Sequence, residues 1–138
     1  RGKKNTESWK VGIDQPTQNT SPERKLEAII ELNNRALCTS GNYRKFYEED
    51  GKRFAHILDP RTGFPARQNI LSATVIADDA MTADAYATAF MVMGLDLSKQ
   101  FLEENKDLNL EVFFIYDENN IWKTYSSESL KNKIKQLN

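Results

Sequence analysis

Three groups of side chains in this sequence have types and spacing that suit one chemistry. His56, the single histidine of the chain, stands directly ahead of "ILDPRTGFPA". A histidine titrates near neutral pH and can carry a proton, although a single one at a strand end more often serves the structure alone. In the turn that follows, Asp59 opens, Pro60 comes next and Gly63 follows, which specifies a rigid corner. Thr62 can bond back to the backbone, and N–H groups freed in such a turn can face an anion. Arg61 can meet a phosphate with two parallel bonds, or simply face water. Further on, Asp84 and Thr88 lie four residues apart and share one helical face. A carboxylate beside a neutral hydroxyl suits a hard cation such as Mg²⁺, which takes few protein ligands and completes its shell with phosphate oxygens and water. The simpler alternative for Asp84 is a carboxylate that only faces solvent. Together, the parts within residues 56–88 suit a phosphorylated ligand handled with Mg²⁺.

Alternating and β-branched segments must carry these groups. Strands are expected over residues 8–13, over 25–32 and 35–40 around the tight-turn pair Asn33-Asn34, and over 43–48 and 52–58 around "EDG". "NILSATVIA" (69–77) is apolar and β-branched enough for a buried strand. Residues 78–94 read as a helix, with Asp78 or Asp79 as N-cap and Gly94 as stop. Its small residues Ala80, Ala83 and Ala87, with Met91, recur at helical spacing and allow close packing on a sheet. A second helix is expected over 97–105, a hairpin over 110–117 and 121–125 across "ENN", and a short final helix over 127–136. Mostly antiparallel strands with two or three helices define an α+β fold.

The bulk properties exclude several classes. With 138 residues the chain has room for one domain with a real core. Its 39% hydrophobic and 28% charged residues are a globular composition rather than a disordered or fibrous one. A formal net charge of −1 supplies no broad field for nucleic acid or an anionic membrane, and the basic ends (Arg1, Lys3, Lys4 and Lys131 to Lys135) read as solvated. One cysteine excludes an internal disulfide, and one histidine excludes a histidine-cluster metal site within the chain. Cys38, in "ALCTS", reads as a small buried hydrophobe rather than a nucleophile. No apolar run approaches the roughly 18 residues of a membrane span, so direct insertion of this segment is not expected. The start at "RGKKNTESW", without a methionine, suggests a piece of a longer protein.

"HILDPRTGFPA" followed by "ATVIADDAMTADAYATAFMVMG" resembles the paired signature of the ApbE-type flavin transferases, once called thiamine-biosynthesis lipoproteins. "WKVGIDQP" and "CTSGNYRKFYEEDGKRFAHILDP" fit that family in order and spacing, so the resemblance runs from residue 8 to about 125. It implies an ApbE-like, T-fold-like arrangement, mainly antiparallel sheet with helices packed on it. Residues 1–138 would be the C-terminal part of such a domain, weak or inactive without the upstream half. The implied activity is Mg²⁺-dependent transfer of FMN from FAD to a threonine of an acceptor protein, releasing AMP. Hydrolysis of FAD to FMN and AMP, or a non-catalytic flavin-binding module, is the alternative. Carried over by motif, Asp84 and Thr88 match metal-ligand positions and His56 matches the histidine beside the reacting pyrophosphate. Ile57, Asp59, Thr62 and Gly63 match the segment that lines the FAD site. Ser40, Gly41 and Tyr43 fall in a matching stretch and receive no role beyond shaping their strand. The family setting implies the bacterial envelope, with the parent tethered outside the cytoplasmic membrane.

Overall fold

The computed structural model describes residues 7–16, 25–42, 46–49, 52–55, 57–64, 66 and 69–137, with backbone alone for 46–49 and 52–55. His56 and Tyr43 lie outside the described residues. The strands are β1 (Trp9–Asp14), β2 (Leu26–Leu32), β3 (Ala36–Gly41), β4 (Phe46–Glu49), β5 (Lys52–Ala55), β6 (Ile70–Ala77), β7 (Glu111–Glu118), β8 (Ile121–Ser126) and β9 (Ile134–Gln136). Two α-helices, α1 (Ala80–Met93) and α2 (Leu95–Glu104), separate β6 from β7. The α+β expectation therefore holds.

Pairing is antiparallel throughout the described strands. A central sheet has the order β3-β6-β7-β8, a smaller sheet has β1-β2-β9, and β4-β5 form a separate hairpin. The helices cover one face of the central sheet, where Ala73, Val75, Val112 and Phe114 meet Ala87, Phe90 and Met91 in one buried cluster. The small sheet covers the other face, where Ile13, Ala28 and Ile30 meet Ile76, Phe113, Ile115 and Leu130. Layers on both sides explain why β6 and the first five residues of β7 read as nearly continuous apolar runs rather than alternating ones.

Two expected hairpins form. Strands β4 and β5 pair with Glu49, the first residue of "EDG", already in the ladder opposite Lys52. Asn119 and Asn120 both take positive φ, 57° and 61°, which closes β7 onto β8 with the twist of a two-residue hairpin. Asn33-Asn34 behaves differently. Asn34 is left-handed, at φ 52°, yet β2 and β3 do not pair; β2 lies between β1 and β9, and β3 pairs with β6. The turn hands the chain from one sheet to the other, because turn chemistry sets local direction while the buried faces choose their partners. Arg35, just past this turn, holds the handover in place. It pairs with the buried carboxylate of Glu111 at 2.8 Å and bonds the carbonyl of Asn109, and Lys133 reaches the same Glu111 at 2.7 Å.

The expected final helix over 127–136 is absent. Its place is taken by a single 3₁₀ turn, Glu128–Leu130, and by β9. Leu130 is fully buried between the sheets, and Ile134 pairs with Ile30 to extend the small sheet. Burial of apolar side chains and an unpaired edge of β2 outweigh the weak helical pattern of this segment.

The helix that carries Asp84 and Thr88 is set by its own ends. Asp79 caps it, accepting from the Thr82 N–H at 2.9 Å and from the Thr82 hydroxyl at 2.7 Å. At the other end Gly94 takes φ 79°, returns its N–H to the Phe90 carbonyl, and turns the chain directly into α2. Helix α2 accordingly begins at Leu95, two residues before the expected start at 97. Ala83 and Ala87 are completely buried against the sheet, as their size allows, whereas Ala80 is exposed at the first turn.

Candidate functional site

Beside its buried alanines, on the edge that runs along β3, α1 carries Ala80, Asp84 and Thr88 in one row. Helical spacing puts them there once Ala83, Ala87, Phe90 and Met91 point inward. Asp84 and Thr88 are exposed. Alongside runs β3, whose alternate residues Cys38 and Ser40 share the helix side of the sheet. The two elements meet at both ends of the row. The Cys38 thiol donates to the Ala80 carbonyl at 3.5 Å, and the Ser40 and Thr88 hydroxyls lie 3.0 Å apart. Asp84 sits between these contacts on the helix. Burial raises the Cys38 thiol above its ordinary value, and the negative charge of Asp84 raises it further. Cys38 is thus half-buried and kept protonated, which agrees with a packing residue rather than a nucleophile.

Ser40, to which the sequence assigned no role beyond shaping its strand, is brought beside Thr88. Strand alternation already placed it on the same side as Cys38, but only the docking of α1 brings it to Thr88.

The turn after His56 is closed by its own bonds. Asp59 N–H donates to the Phe64 carbonyl at 2.9 Å, Gly63 N–H to the Asp59 carbonyl at 2.8 Å, and Ala66 N–H to the Ile57 carbonyl at 2.9 Å. The Thr62 hydroxyl accepts from Phe64 N–H at 3.2 Å. Ile57 is buried in the same cluster as Ala87 and Phe90, which ties the turn to the core beneath α1. Arg61 folds back onto Asp59, with Nε and Nη2 on the two carboxylate oxygens at 2.9 and 2.7 Å. Its guanidinium therefore braces the turn. Any phosphate it meets must compete with that carboxylate. Among the described residues no hydrogen bond joins this turn to Asp84 or Thr88.

Hydrogen bonds from the Arg61 side chain, and then from its backbone N–H, hold the Asp59 carboxyl below the usual aspartate value. A depressed folded value means that this carboxylate supports the turn fully above about pH 4, the ordinary aspartate range, and loses that support as pH falls through the lowered value. In an NMR titration of side-chain carboxyl carbons, Asp59 should show a midpoint below about 3.9, and Arg61→Ala should return it to the ordinary range. An Asp59 midpoint at or above the ordinary value would contradict the brace.

Gly63 has φ 72°, and nothing lies within 4 Å of the point a Cβ would occupy, so the backbone alone demands glycine there. Gly63→Ala should cost about 1 kcal/mol in a denaturant melt, and Gly63→Asn less, because asparagine tolerates the left-handed region. Equal losses for the two variants would point to crowding instead of backbone strain.

The site is thus a helix docked on an antiparallel sheet, with the oxygens of Asp84 and Thr88 exposed along its β3 edge. The chain belongs to the ApbE family, whose model matches residues 1–114. A similar curated protein is the FAD:protein FMN transferase of Haemophilus influenzae, 43% identical over 123 residues that cover 89% of this chain and 34% of that protein. The FAD:protein FMN transferase of Escherichia coli K12 is 39% identical over 123 residues, covering 89% and 33%. Among solved structures, the ApbE protein of Thermotoga maritima superposes with a TM-score of 0.78 at 32% identity, over 96% of this chain and 40% of that one. The flavin transferase ApbE of Vibrio cholerae gives 0.74 at 33% identity, with coverage of 96% and 40%. The chain spans about a third of the length of the curated relatives it matches.

Proposed function

We propose that this chain forms the C-terminal part of a flavin transferase that moves FMN from FAD to a threonine hydroxyl of an acceptor protein, with Mg²⁺ and release of AMP. The observation that carries this reading is the Asp84–Thr88 row on α1, beside the Ser40 hydroxyl, in a chain whose curated relatives are named FAD:protein FMN transferase. These donors suit Mg²⁺. Both are hard oxygens, one charged and one neutral, and two protein ligands with water and phosphate oxygens are a usual complement. Groups of three or more histidine, cysteine, aspartate or glutamate side chains placed to hold a metal do not occur among the described residues, so the remaining ligands would come from substrate, solvent or another part of the protein. When bound there, Mg²⁺ offsets the charge of the pyrophosphate.

This chain's residues take part in the transfer as follows. The acceptor threonine oxygen forms a bond to the FMN-side phosphorus while the bond to the bridging oxygen breaks, and AMP leaves with that oxygen. His56, by its place in the motif, takes the proton of the attacking hydroxyl. Ile57 anchors the turn in the core, and Asp59, Thr62 and Gly63 hold its shape beside the FAD. Among the described residues no helix is long and apolar enough to cross a membrane. The family setting supports placing the parent protein in the bacterial envelope, on the outer side of the cytoplasmic membrane.

Incubating the intact protein with FAD, Mg²⁺ and an acceptor domain containing the target threonine tests this directly. Flavin fluorescence on the acceptor after denaturing electrophoresis, with equimolar AMP, supports transfer. Free FMN with AMP and no labelled acceptor indicates a pyrophosphatase. Bound but unchanged FAD indicates a flavin-binding module.

A further inference from the structure

We infer that Ser40 is a positioning residue for Thr88: its hydroxyl takes the Thr88 proton, so that Thr88 presents oxygen lone pairs to the cation. This rests on the reading of Asp84 and Thr88 given above. A neutral hydroxyl has one proton and two lone pairs, and a cation can use only the latter. Its proton must find an acceptor elsewhere. A helical threonine tends to return that proton to the carbonyl one turn earlier, here the carbonyl of Asp84 itself. Ser40 provides a different acceptor, 3.0 Å away on β3.

The fold makes this contact rigid. Ser40 is opposite Ala73 in the β3–β6 ladder, and Ala73 is completely buried beneath α1. The Cys38–Ala80 contact at the other end of the row fixes helix and strand at a second point. With a cation drawing electron density from Thr88 Oγ1, its O–H becomes a stronger donor and Ser40 Oγ the acceptor. Groups that bond and orient a metal ligand commonly set affinity by factors of about 10–100.

The test is a titration of the intact protein with Mn²⁺ alone, read by the EPR signal of the free ion, beside thermal melts in metal-free buffer. Ser40→Ala should weaken Mn²⁺ binding about tenfold while leaving the metal-free melting temperature unchanged. Ser40→Thr, which keeps the hydroxyl on a strand-compatible side chain, should restore binding. Unchanged Mn²⁺ affinity in Ser40→Ala, with binding lost in Asp84→Ala, overturns the role of Ser40 alone. Unchanged affinity in Asp84→Ala removes the metal reading itself, and the role of Ser40 with it. A lower metal-free melting temperature in Ser40→Ala, not rescued by Ser40→Thr, assigns Ser40 to structure and also overturns the proposal.

Discussion

Asp84→Ala is expected to lower release of AMP from FAD at saturating Mg²⁺ by a factor on the order of 10²–10³, the loss typical when one electrostatic contact to a developing charge is removed. The reason is local. Asp84 is the one carboxylate in the Ala80–Asp84–Thr88 row, and a neutral hydroxyl cannot replace its charge. Folding should be untouched. Asp84 is exposed, and alanine is the better helix former, so the melting temperature should stay level or rise slightly. Loss of turnover in a fully folded variant thus separates chemistry from stability. Asp84→Asn, which keeps an oxygen and removes the charge, should fall between the two. AMP release can be followed by chromatography of quenched single turnovers. A variant that retains more than half the rate would show that no ligand essential to the reaction had been removed.

Phe90→Ala should destabilise the chain by about 3–5 kcal/mol, a large part of the roughly 5–15 kcal/mol that usually holds a domain. Phe90 is completely buried. Its ring lies 5.8 Å from Tyr86, 5.9 Å from Phe101 and 5.4 Å from Phe114, so it joins α1 to α2 and both to the central sheet. Truncation removes all three ring contacts and leaves a void that the rigid ladder of β6 and β7 cannot close. Chemical denaturation followed by far-UV circular dichroism measures the loss. Phe90→Leu, which refills most of the space, should recover much of it. A loss below about 1 kcal/mol would mean that the cluster has repacked freely, contrary to the close packing of protein interiors. Because Phe90 follows Thr88 by two residues, the variant should also blur the Thr88–Ser40 contact, a coupling of stability to site geometry that Asp84→Ala lacks.

The local signals in the sequence were strong where one residue type answers one backbone demand. Asp79 and Gly94 bound α1, Asn119-Asn120 close a hairpin, and Asp59 with Gly63 shapes the turn; each acts within a few residues of itself. The spacing of Asp84 and Thr88 likewise gave their shared face, because a helix fixes what lies four residues apart. The family resemblance rested on the same kind of short, ordered motif.

Pairing and partnership were a different matter. Asn33-Asn34 specified a turn and left open which strands would meet across it; burial on two sheets then sent β2 and β3 apart. The final segment carried a helical pattern, yet Leu130 and Ile134 had more to gain between and along the sheets. Arg61 had the right chemistry for phosphate, but a carboxylate two residues away is always nearer than a ligand in solution. Ser40 shows the division most plainly. Its face on β3 follows from alternation, a property of the strand alone. Its contact with Thr88, 48 residues later, exists only because two small alanines let α1 settle close on the sheet, and such long-range closeness is set by packing rather than by local sequence.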